Sequence, residues 1–526
     1  MSIPGWLEFF RLDLDRHRIA RSFFLRGLGL IYLIAILSWA SQVALLVGSD
    51  GLTPANLFLE NVREALENRG ESPFFALPNL FWLTGASDFA LHFVCLCGIV
   101  FSLLVLFGRF TGISLPALWV IYLSLVQTGG VFMSFQWDIL LLEAGFLALF
   151  LTSWRMRSPW RNPEPLNLIQ KIALVFFWLL IAKLMFFSGW VKLAWASELQ
   201  PEWWPDRTAL DFHYMTQPLP TWTAWHMHHA PEWVHAVSIW LMYFVEILLP
   251  FAILLGRWGR VTAAIGFSFL MITIMATGNY TYFNWLTILL CIPLVPDSLW
   301  PKWIRTGLQF SPIGIPNPAP RHTFRLQLGI SIVSFSILGL LQLHTILRDL
   351  HQAPKPMISE NPNPEWLDQF AGFFQPFRIA SGYGLFRTMT TSRPEIILEG
   401  SNDGENWLAY DFEWKVDELG DRPRFVAPHQ PRVAWQFWFA ALRANFQKDR
   451  SNAPWIESLI MQLLENDPEV RSLIKHSPFP DAPPRFLRLQ LYDYEFTTPE
   501  EKAETGNWWK RELLGTYLRP VALKTP

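Results

Sequence analysis

The amino-acid sequence predicts an α-helical multi-pass membrane bundle of about nine spans, followed by an α+β domain outside the membrane. Hydrophobic residues make up 51% of the 526 residues and charged residues only 16%, whereas an average soluble protein has about 25% charged residues. The 28 Trp residues suit the membrane–water boundary, where this side chain is enriched. The net charge of −2 gives no broad basic field that could bind nucleic acid. The apolar composition instead indicates that the chain is embedded in a lipid bilayer.

Nine apolar segments have about the length that crosses a hydrocarbon core as a helix. They cover residues 27–47, 89–107, 113–131, 135–152, 172–191, 235–255, 261–277, 283–295 and 326–347. The first segment follows a basic stretch and is interpreted as an uncleaved anchor, because further spans follow and no clear cleavage site appears. The segments 135–152 and 283–295 are short, which suits a tilted, re-entrant or buried helix.

The charges of the connecting loops predict the orientation of the bundle. The N-terminus and the loops 108–112, 153–171, 256–260 and 296–325 are basic, whereas the loop 48–88 is mainly acidic. Lys and Arg accumulate on the cytoplasmic side of membrane proteins. We therefore expect a cytoplasmic N-terminus and a tail after residue 350 that lies outside, in a periplasm or an organelle lumen.

Three regions are expected along the chain: a transmembrane domain (1–350), a proline-rich linker (351–368) and an exterior domain (369–526). In the exterior domain, segments 395–399, 407–413 and 486–496 have strand patterns, and Asp403-Gly404 is a hairpin signal. Segments 431–446 and 454–466 have helical patterns. The tail is thus predicted as a small α+β domain, a β-sandwich with a helical insertion.

Three ionisable residues, Glu143, Lys183 and Glu246, lie inside apolar segments. A charge at the bilayer centre costs about 2.5–3.5 kcal/mol on the insertion scale and usually faces the bundle. These residues could form a proton relay or a polar active site; alternatively, Glu143 and Lys183 neutralise each other and pin two helices. Asp138 lies near the end of its segment and is expected at the interface.

Lys192 lies at the end of an apolar segment. A lysine there can act as a base if it is desolvated; alternatively, its side chain extends to the membrane interface. Glu143, Lys183 and Lys192 are the candidate catalytic residues, although the sequence favours a protein that is not an enzyme. Motifs of the common enzyme classes (GxGxxG, GxSxG, HExxH and CxxC) do not occur in the sequence.

The loop 192–234 is the densest polar and aromatic segment. The four His residues of this loop and the adjacent His235 fit no standard metal-ligand spacing, so we expect no metal and no cofactor. Asp211 and His213 could form a general base and its orienting carboxylate. The aromatic side chains either anchor the loop at the headgroups or contact a protein partner. The candidate partner-binding residues are Trp203, Trp204, His213, Trp222 and Trp225.

Eight motifs, taken in order, resemble the lipase maturation factor family. They are FQWDILLLEAGFLALFL (135–151), FSGWVKL (187–193), TALDFHYMTQPLPTWTAWHMHHAP (208–231), EILLPF (246–251), GNYTYFNWLT (278–287), YGLFRTMT (383–390), HSPFPDAPPRFLRLQLYDYEF (476–496) and WWKRELLGTYLRP (508–520). The resemblance implies a membrane-anchored maturation factor that helps exported proteins, in this family lipases, to reach their active assembled state. It supplies no catalytic residues.

Eukaryotic members of that family sit in the endoplasmic reticulum membrane. This chain has no Cys outside its apolar segments, and its one N-x-S/T sequon, Asn279-Tyr280-Thr281, lies against a span. It therefore resembles a bacterial member in an inner membrane. The membrane part is also similar to the core of the vitamin K-dependent carboxylase, so the alternative is a carboxylase-like membrane enzyme that acts on a lipid-like or exported substrate.

Overall fold

The computed structural model describes residues 14–152, 165–194, 201–307, 321–351, 363–446 and 453–523. Nine helical segments of these residues form the bundle. They are α1 (Arg18–Ala40), α2 (Asp88–Leu106), α3 (Thr111–Thr128), α4 (Gln136–Leu151), α5 (Leu168–Ala194), α6 (Glu232–Tyr243), α7 (Gly256–Thr277), α8 (Phe283–Cys291) and α9 (Arg321–Leu350). A π turn and a 3-10 turn extend α6 to Leu254.

Seven of the described helices are long and apolar enough to cross a membrane, which confirms a multi-pass bundle. The other two segments, α4 and α8, are shorter. The 16 residues of α4 extend over about 24 Å at 1.5 Å per residue, less than a hydrocarbon core of about 30 Å. A count of nine full spans is therefore not confirmed.

The first helix begins nine residues before the predicted apolar segment. This is possible because buried partners accept hydrogen bonds from the backbone and side chains of its basic first turns. Asp297 receives the backbone N–H groups of Arg18 (3.0 Å) and Ile19 (2.9 Å). The Arg21 guanidinium donates to Gln170 Oε1 at 2.9 Å, and that of Arg26 donates to the hydroxyl of Ser22. Charged residues are usually placed outside a span when spans are predicted from sequence. Arginines whose partners lie inside the protein are therefore left out of the predicted helix.

Short helices line the connections between these segments. They are Val43–Val47, Ala55–Glu67, Pro73–Ala76, Phe81–Thr84, Ala209–Thr216, Trp222–His228 and Lys302–Gly307. The basic residues of 153–164 lie outside the described residues, so the structure does not test their predicted position.

The C-terminal part, which is predicted to lie outside the membrane and is called the exterior domain here, contains three longer helices and six strands among its described residues. They are α10 (Glu365–Phe374), α11 (Arg432–Phe446), α12 (Pro454–Leu464), β1 (Pro394–Ser401), β2 (Leu408–Ala409), β3 (Asp411–Phe412), β4 (Ile474–His476), β5 (Phe486–Phe496) and β6 (Trp509–Val521), with short helices at Pro468–Arg471 and Pro499–Thr505. Four strands form an antiparallel sheet in the order β2-β1-β5-β6, and β3 pairs with β4. The α+β class is confirmed, whereas the expected β-sandwich is not.

The sheet forms as its pattern predicts. Leu487, Leu489 and Leu491 alternate along β5 and are buried, while α11 packs on the neighbouring strand β1. The predicted hairpin joins β1 to β2, and the Asp403 carboxylate accepts hydrogen bonds from its turn. Most of the expected linker, residues 352–362, lies outside the described residues, and α10 begins in its last part.

The exterior domain packs on one end of the bundle. His429 bonds to Ser38 at the end of α1 (3.0 Å), and Gln430 accepts from the indole of Trp137 at the start of α4 (2.9 Å). Asn279, after α7, donates its side-chain amide to the carbonyl of Arg424 at 2.8 Å. Asn279 is buried and is the asparagine of the single sequon, so its amide nitrogen is engaged in the folded protein.

Candidate functional site

Three buried ion pairs join the helices to one another and to the exterior domain. They are Lys183–Glu143 (Nζ to Oε1, 3.0 Å), Lys192–Glu246 (Nζ to Oε2, 2.7 Å) and Arg432–Asp138 (Nη1 to Oδ2, 3.2 Å). An isolated charge buried in the bundle is unfavourable, and in each pair the two opposite charges neutralise each other. The three intramembrane charges that the sequence singles out all belong to these pairs.

The Glu143–Lys183 pair is fully hydrogen-bonded. Lys183 donates to Glu143, to Gln342 Oε1 (2.5 Å) and to the carbonyl of Ser381 (2.8 Å), which uses its three donors. Glu143 also accepts from the backbone N–H of Ser381 (2.9 Å) and from the hydroxyl of Tyr383 (2.8 Å). The pair therefore fastens α4, α5 and α9 to the start of the exterior part, which favours the helix-pinning interpretation over a proton relay.

Lys192 does not extend to the interface; it is buried. It donates to Glu246 and to the carbonyl of Ser188 (2.8 Å). Its ammonium also lies over the indole of Trp203, 5.3 Å from the ring centroid, which is cation–π geometry. The pair connects the end of α5 to the π turn after α6 and anchors the start of the aromatic loop.

Asp138 is fully buried rather than interfacial, because Arg432 of the exterior helix α11 reaches it. Its carboxylate also accepts from the hydroxyls of Tyr122 (2.6 Å) and Tyr282 (2.7 Å). Arg432 donates in addition to the carbonyl of Phe132. The sequence gives no signal for this pair, because its two members are 294 residues apart and lie in different domains.

The DFHYMTQPLP motif (residues 211–220) connects the loop to the exterior domain through hydrogen bonds. The guanidinium of Arg393, just before β1, donates to the carbonyls of Met215 (2.9 Å), Gln217 and Pro218 (3.1 Å). Gln217 in turn donates to the carbonyl of Thr277 at the end of α7 (2.7 Å). A buried arginine that satisfies three carbonyls fixes the loop backbone at that point.

The histidines of the loop are used for packing and local bonds. Asp211 contacts His235 (2.6 Å between Oδ1 and Nδ1) and not His213. The hypothesis that Asp211 orients His213 as a general base is therefore wrong. His213 packs on Phe386, and burial together with the charge of Lys192 lowers the pKa of His213 to about 4. In the part of the chain that the structure describes, no three His, Cys, Asp or Glu side chains are grouped as metal ligands.

The five candidate partner-binding residues differ in exposure. Trp203 and Trp225 are buried, and the indole N–H of Trp225 donates to the carbonyl of Thr497 in the exterior domain (3.1 Å). His213 and Trp222 are half-buried, while Trp204 is 41% exposed. The structure thus brings Trp222 and Trp225 to the exterior domain and leaves Trp204 at the end of α6, beside Trp240.

A mixed aromatic and cationic surface forms where the loop meets the exterior domain. We call it the loop–tail patch, and its members are Trp222, Arg422, Phe425, Lys502 and Trp508. Arg422 lies 5.0 Å from the ring centroid of Trp222, and Lys502 lies 3.3 Å from that of Trp508. Arg422 is exposed and Phe425 is 49% exposed. Sequence reasoning found Trp222 alone, because the other four residues are distant in the chain.

An aromatic chamber of about 340 Å³ lies between the bundle and the exterior domain. Its walls include Phe135, Trp137, Tyr280, Phe386, Trp435 and Trp438. Three buried polar atoms in this lining have no hydrogen-bond partner among the described residues: Gln136 Oε1, Asn284 Oδ1 and Trp435 Nε1. The size is that of small ligand sites, and the chamber can therefore hold an apolar group with one hydrogen-bonding end.

Comparisons with known proteins agree with the motifs. The chain matches the family model of the lipase maturation factor transmembrane domain over residues 19–302 and that of the lipase maturation factor C-terminal domain over residues 379–519. It is 31% identical to lipase maturation factor 1 of Mus musculus, with 98% of this chain and 89% of the relative covered.

Two further relatives give the same result. Identity to lipase maturation factor 1 of Homo sapiens is 30%, with 96% of this chain and 88% of the relative covered. Identity to lipase maturation factor 2 of Xenopus tropicalis is also 30%, with 98% and 84% covered. No solved structure gives a significant match.

Proposed function

Because the chain belongs to the lipase maturation factor family, we propose that it is a membrane-anchored factor that helps exported lipases to reach their active, assembled state. The observation that carries this proposal is the extent of the match. Both the bundle and the exterior domain are covered, and the alignment spans 98% of the chain. The connections between the two parts, such as Arg432–Asp138, make them one working unit.

For the orientation, we infer a cytoplasmic N-terminus and an exterior domain on the side of the exported client. The alternating loop charges support this orientation, and so does the packing of the exterior domain on the end of the bundle opposite the basic loops. Nine crossings would follow if α4 and α8 also traverse the bilayer. The membrane would be that of the endoplasmic reticulum in a eukaryote and the inner membrane in a bacterium.

The loop–tail patch is our proposed contact surface for the client. Tryptophan and arginine are enriched among the residues that dominate binding energies, and Phe425 adds exposed apolar area beside them. Burial and then the charge of neighbouring Arg422 lower the pKa of Lys502. Arg422 and Lys502 give the patch two cationic side chains. An acidic, aromatic-rich surface of a partly folded lipase would complement it.

Single alanine variants of the two loop tryptophans separate contact from structure. Trp222→Ala should leave the abundance of the protein unchanged but lower its crosslinking to a co-expressed secreted lipase, together with the activity per lipase molecule. Trp225→Ala should lower abundance, because truncating a buried tryptophan costs about 3–5 kcal/mol. Trp233→Ala is the matched control, since this loop tryptophan is 68% exposed and lies outside the patch.

The outcomes distinguish the two parts of the proposal. If the wild-type chain does not raise the activity of the lipase, the maturation function is wrong. If it does, and the Trp222→Ala and Arg422→Ala variants mature the lipase as well as wild type, the function stands and the contact surface is elsewhere.

The geometry does not favour the carboxylase-like alternative. Such an enzyme needs a base, and the candidates Lys183 and Lys192 are each held by a carboxylate and by backbone or side-chain acceptors. Neither amine is therefore free to contact a substrate in this arrangement.

A further inference from the structure

A second cavity, of about 480 Å³, lies between the end of α9 and the exterior helix α10. Its lining includes the side chains of Arg348 and Arg378 and, on its apolar side, Ile139 and Leu341. The cavity is separate from the loop–tail patch and from the aromatic chamber, and the proposed maturation function does not use it.

Arg378 faces this cavity without a counter-charge. Its Nε atom is buried and has no hydrogen-bond partner, and within the described residues no carboxylate lies within ion-pair distance of its guanidinium. Burial lowers the pKa of Arg378. The Arg378 side chain is half-buried, and an anion in the cavity would supply the acceptor that the described residues do not provide.

The other charged groups around the cavity leave a positive excess. Arg348 is half-exposed and bonds to Asp349 at 3.3 Å, a carboxylate that also faces Arg387. Asp368 is engaged by His344 at 3.0 Å. Among the described residues that line the cavity, the guanidinium groups of Arg348 and Arg378 face the single carboxylate of Asp368. A pair of arginines matches the geometry of a phosphate.

The cavity lies beside the end of a candidate membrane span. Arg348 is in the last turn of the span that ends at Leu350. Helix α10 exposes Trp366 (58%) and Phe373 (57%), and the Phe373 ring lies 6.2 Å from that of Phe75, which is itself 59% exposed. Exposed aromatic side chains next to a span end are typical of the membrane interface.

The two sides of α10 have different surroundings. Trp366 and Phe373 are seven residues apart and share one side of the helix, whereas Asp368 and Ala371 lie on the other and line the cavity. The helix therefore suits a position along the bilayer surface, with its aromatic side toward lipid and the arginine cavity behind it.

We propose that this cavity binds the phosphate group of an anionic membrane phospholipid, with Arg378 and Arg348 as its principal ligands. The apolar side formed by Ile139 and Leu341 would accommodate the first carbons of the acyl chains. The bound lipid would fix α10, and with it the start of the exterior domain, against the membrane.

The test uses the full chain purified in a neutral detergent. Short-chain phosphatidylglycerol, phosphatidylcholine of the same chain length and inorganic phosphate are titrated separately, and binding is followed by native mass spectrometry and by the unfolding temperature. Phosphatidylglycerol should bind more tightly than phosphatidylcholine and should raise the unfolding temperature. Arg378→Gln should weaken its binding by about tenfold or more, as expected for the loss of one charge-assisted hydrogen bond.

Two further variants keep the test decisive. Arg348→Gln, at a half-exposed position that tolerates substitution, should also weaken binding, whereas Arg443→Gln, on the exposed side of α11, should not. Equal binding of the two lipids, or unchanged phosphatidylglycerol binding in both cavity variants, would refute the site. If millimolar inorganic phosphate competes fully, the site is one for free anions and the lipid assignment is wrong.

Discussion

Among single residues, the Glu143–Lys183 pair allows a sharp prediction. Removal of one partner leaves the other charge buried and unpaired, which costs about 3–5 kcal/mol. Glu143→Gln and Lys183→Met should therefore each lower the amount of folded protein in the membrane. The double variant should recover part of that loss, because it removes both charges. Quantitative immunoblotting of membranes and the unfolding temperature in detergent measure both effects.

The opposite pattern would assign a chemical role to the pair. If both single variants accumulate normally but fail to mature a lipase, the charges act in function and not in packing. Ser331→Ala is a suitable control, since it changes a buried polar residue of α9 without changing the charge of the bundle.

His213 gives the protein a predicted pH dependence. Its pKa in the folded state is about 4, below the ordinary value of about 6.5, so the unfolded state binds the proton more readily. The stability that His213 contributes is complete above about pH 6.5 and is lost as the pH falls toward 4. The unfolding temperature should drop less between pH 7 and pH 5 in His213→Gln than in wild type.

The exposed His226 provides the control for that measurement. His226→Gln should show the same pH dependence as wild type. If His213→Gln also behaves like wild type, the proton that destabilises the fold binds elsewhere.

Sequence reasoning located most charged residues of the candidate site but few of their partners. The Glu143–Lys183 pair was predictable because both residues lie inside apolar segments, where neutralisation is nearly obligatory. Lys192 was expected at the interface, since its partner Glu246 belongs to a helix whose neighbours the sequence does not specify. The exposure of the loop tryptophans was also unpredictable, because it depends on where the exterior domain packs.

At the scale of elements, helix α11 connects the exterior domain to the bundle through the buried Arg432–Asp138 ion pair. Arg432→Met should release this helix, since Asp138 would be left as a buried carboxylate. We expect faster cleavage of the exterior domain by a protease added to the exterior side, at unchanged membrane insertion. Adding Asp138→Leu should restore part of the resistance, whereas Arg443→Met on the same helix should have no effect.

Element boundaries were predictable where hydrophobic periodicity dominates. Helices α11 and α12 and strand β5 lie within a few residues of their predicted positions. Strand β6 (Trp509–Val521) was missed because most of its side chains are exposed or half-buried, so it lacks the alternation that marks a half-buried strand. The start of α1 was misplaced because buried acceptors solvate its arginines.

For the whole molecule, the orientation can be tested by labelling. A cysteine at position 405, introduced as Glu405→Cys in the exposed hairpin turn, should react with a membrane-impermeant maleimide in intact cells. The nearby Ser401 is unsuitable because its side chain is buried. The wild-type chain is the control for reaction at the native thiols, of which Cys95 and Cys291 are buried and Cys97 is half-buried, all within helices of the bundle. When the chain is expressed in a bacterial inner membrane beneath a permeable outer membrane, labelling only after lysis would place the exterior domain in the cytoplasm and overturn the orientation.

The distance in sequence between Asp138 and Arg432 has a consequence for biosynthesis. A ribosome that adds about 5–20 residues per second needs roughly 15–60 s to make the 294 residues between them. During that interval the nascent bundle holds a carboxylate whose arginine has not yet been made. A chain that terminates early keeps this defect permanently, even though all its membrane helices are present. A chain truncated between the last membrane helix and α11 should therefore be less stable in the membrane than the finished protein.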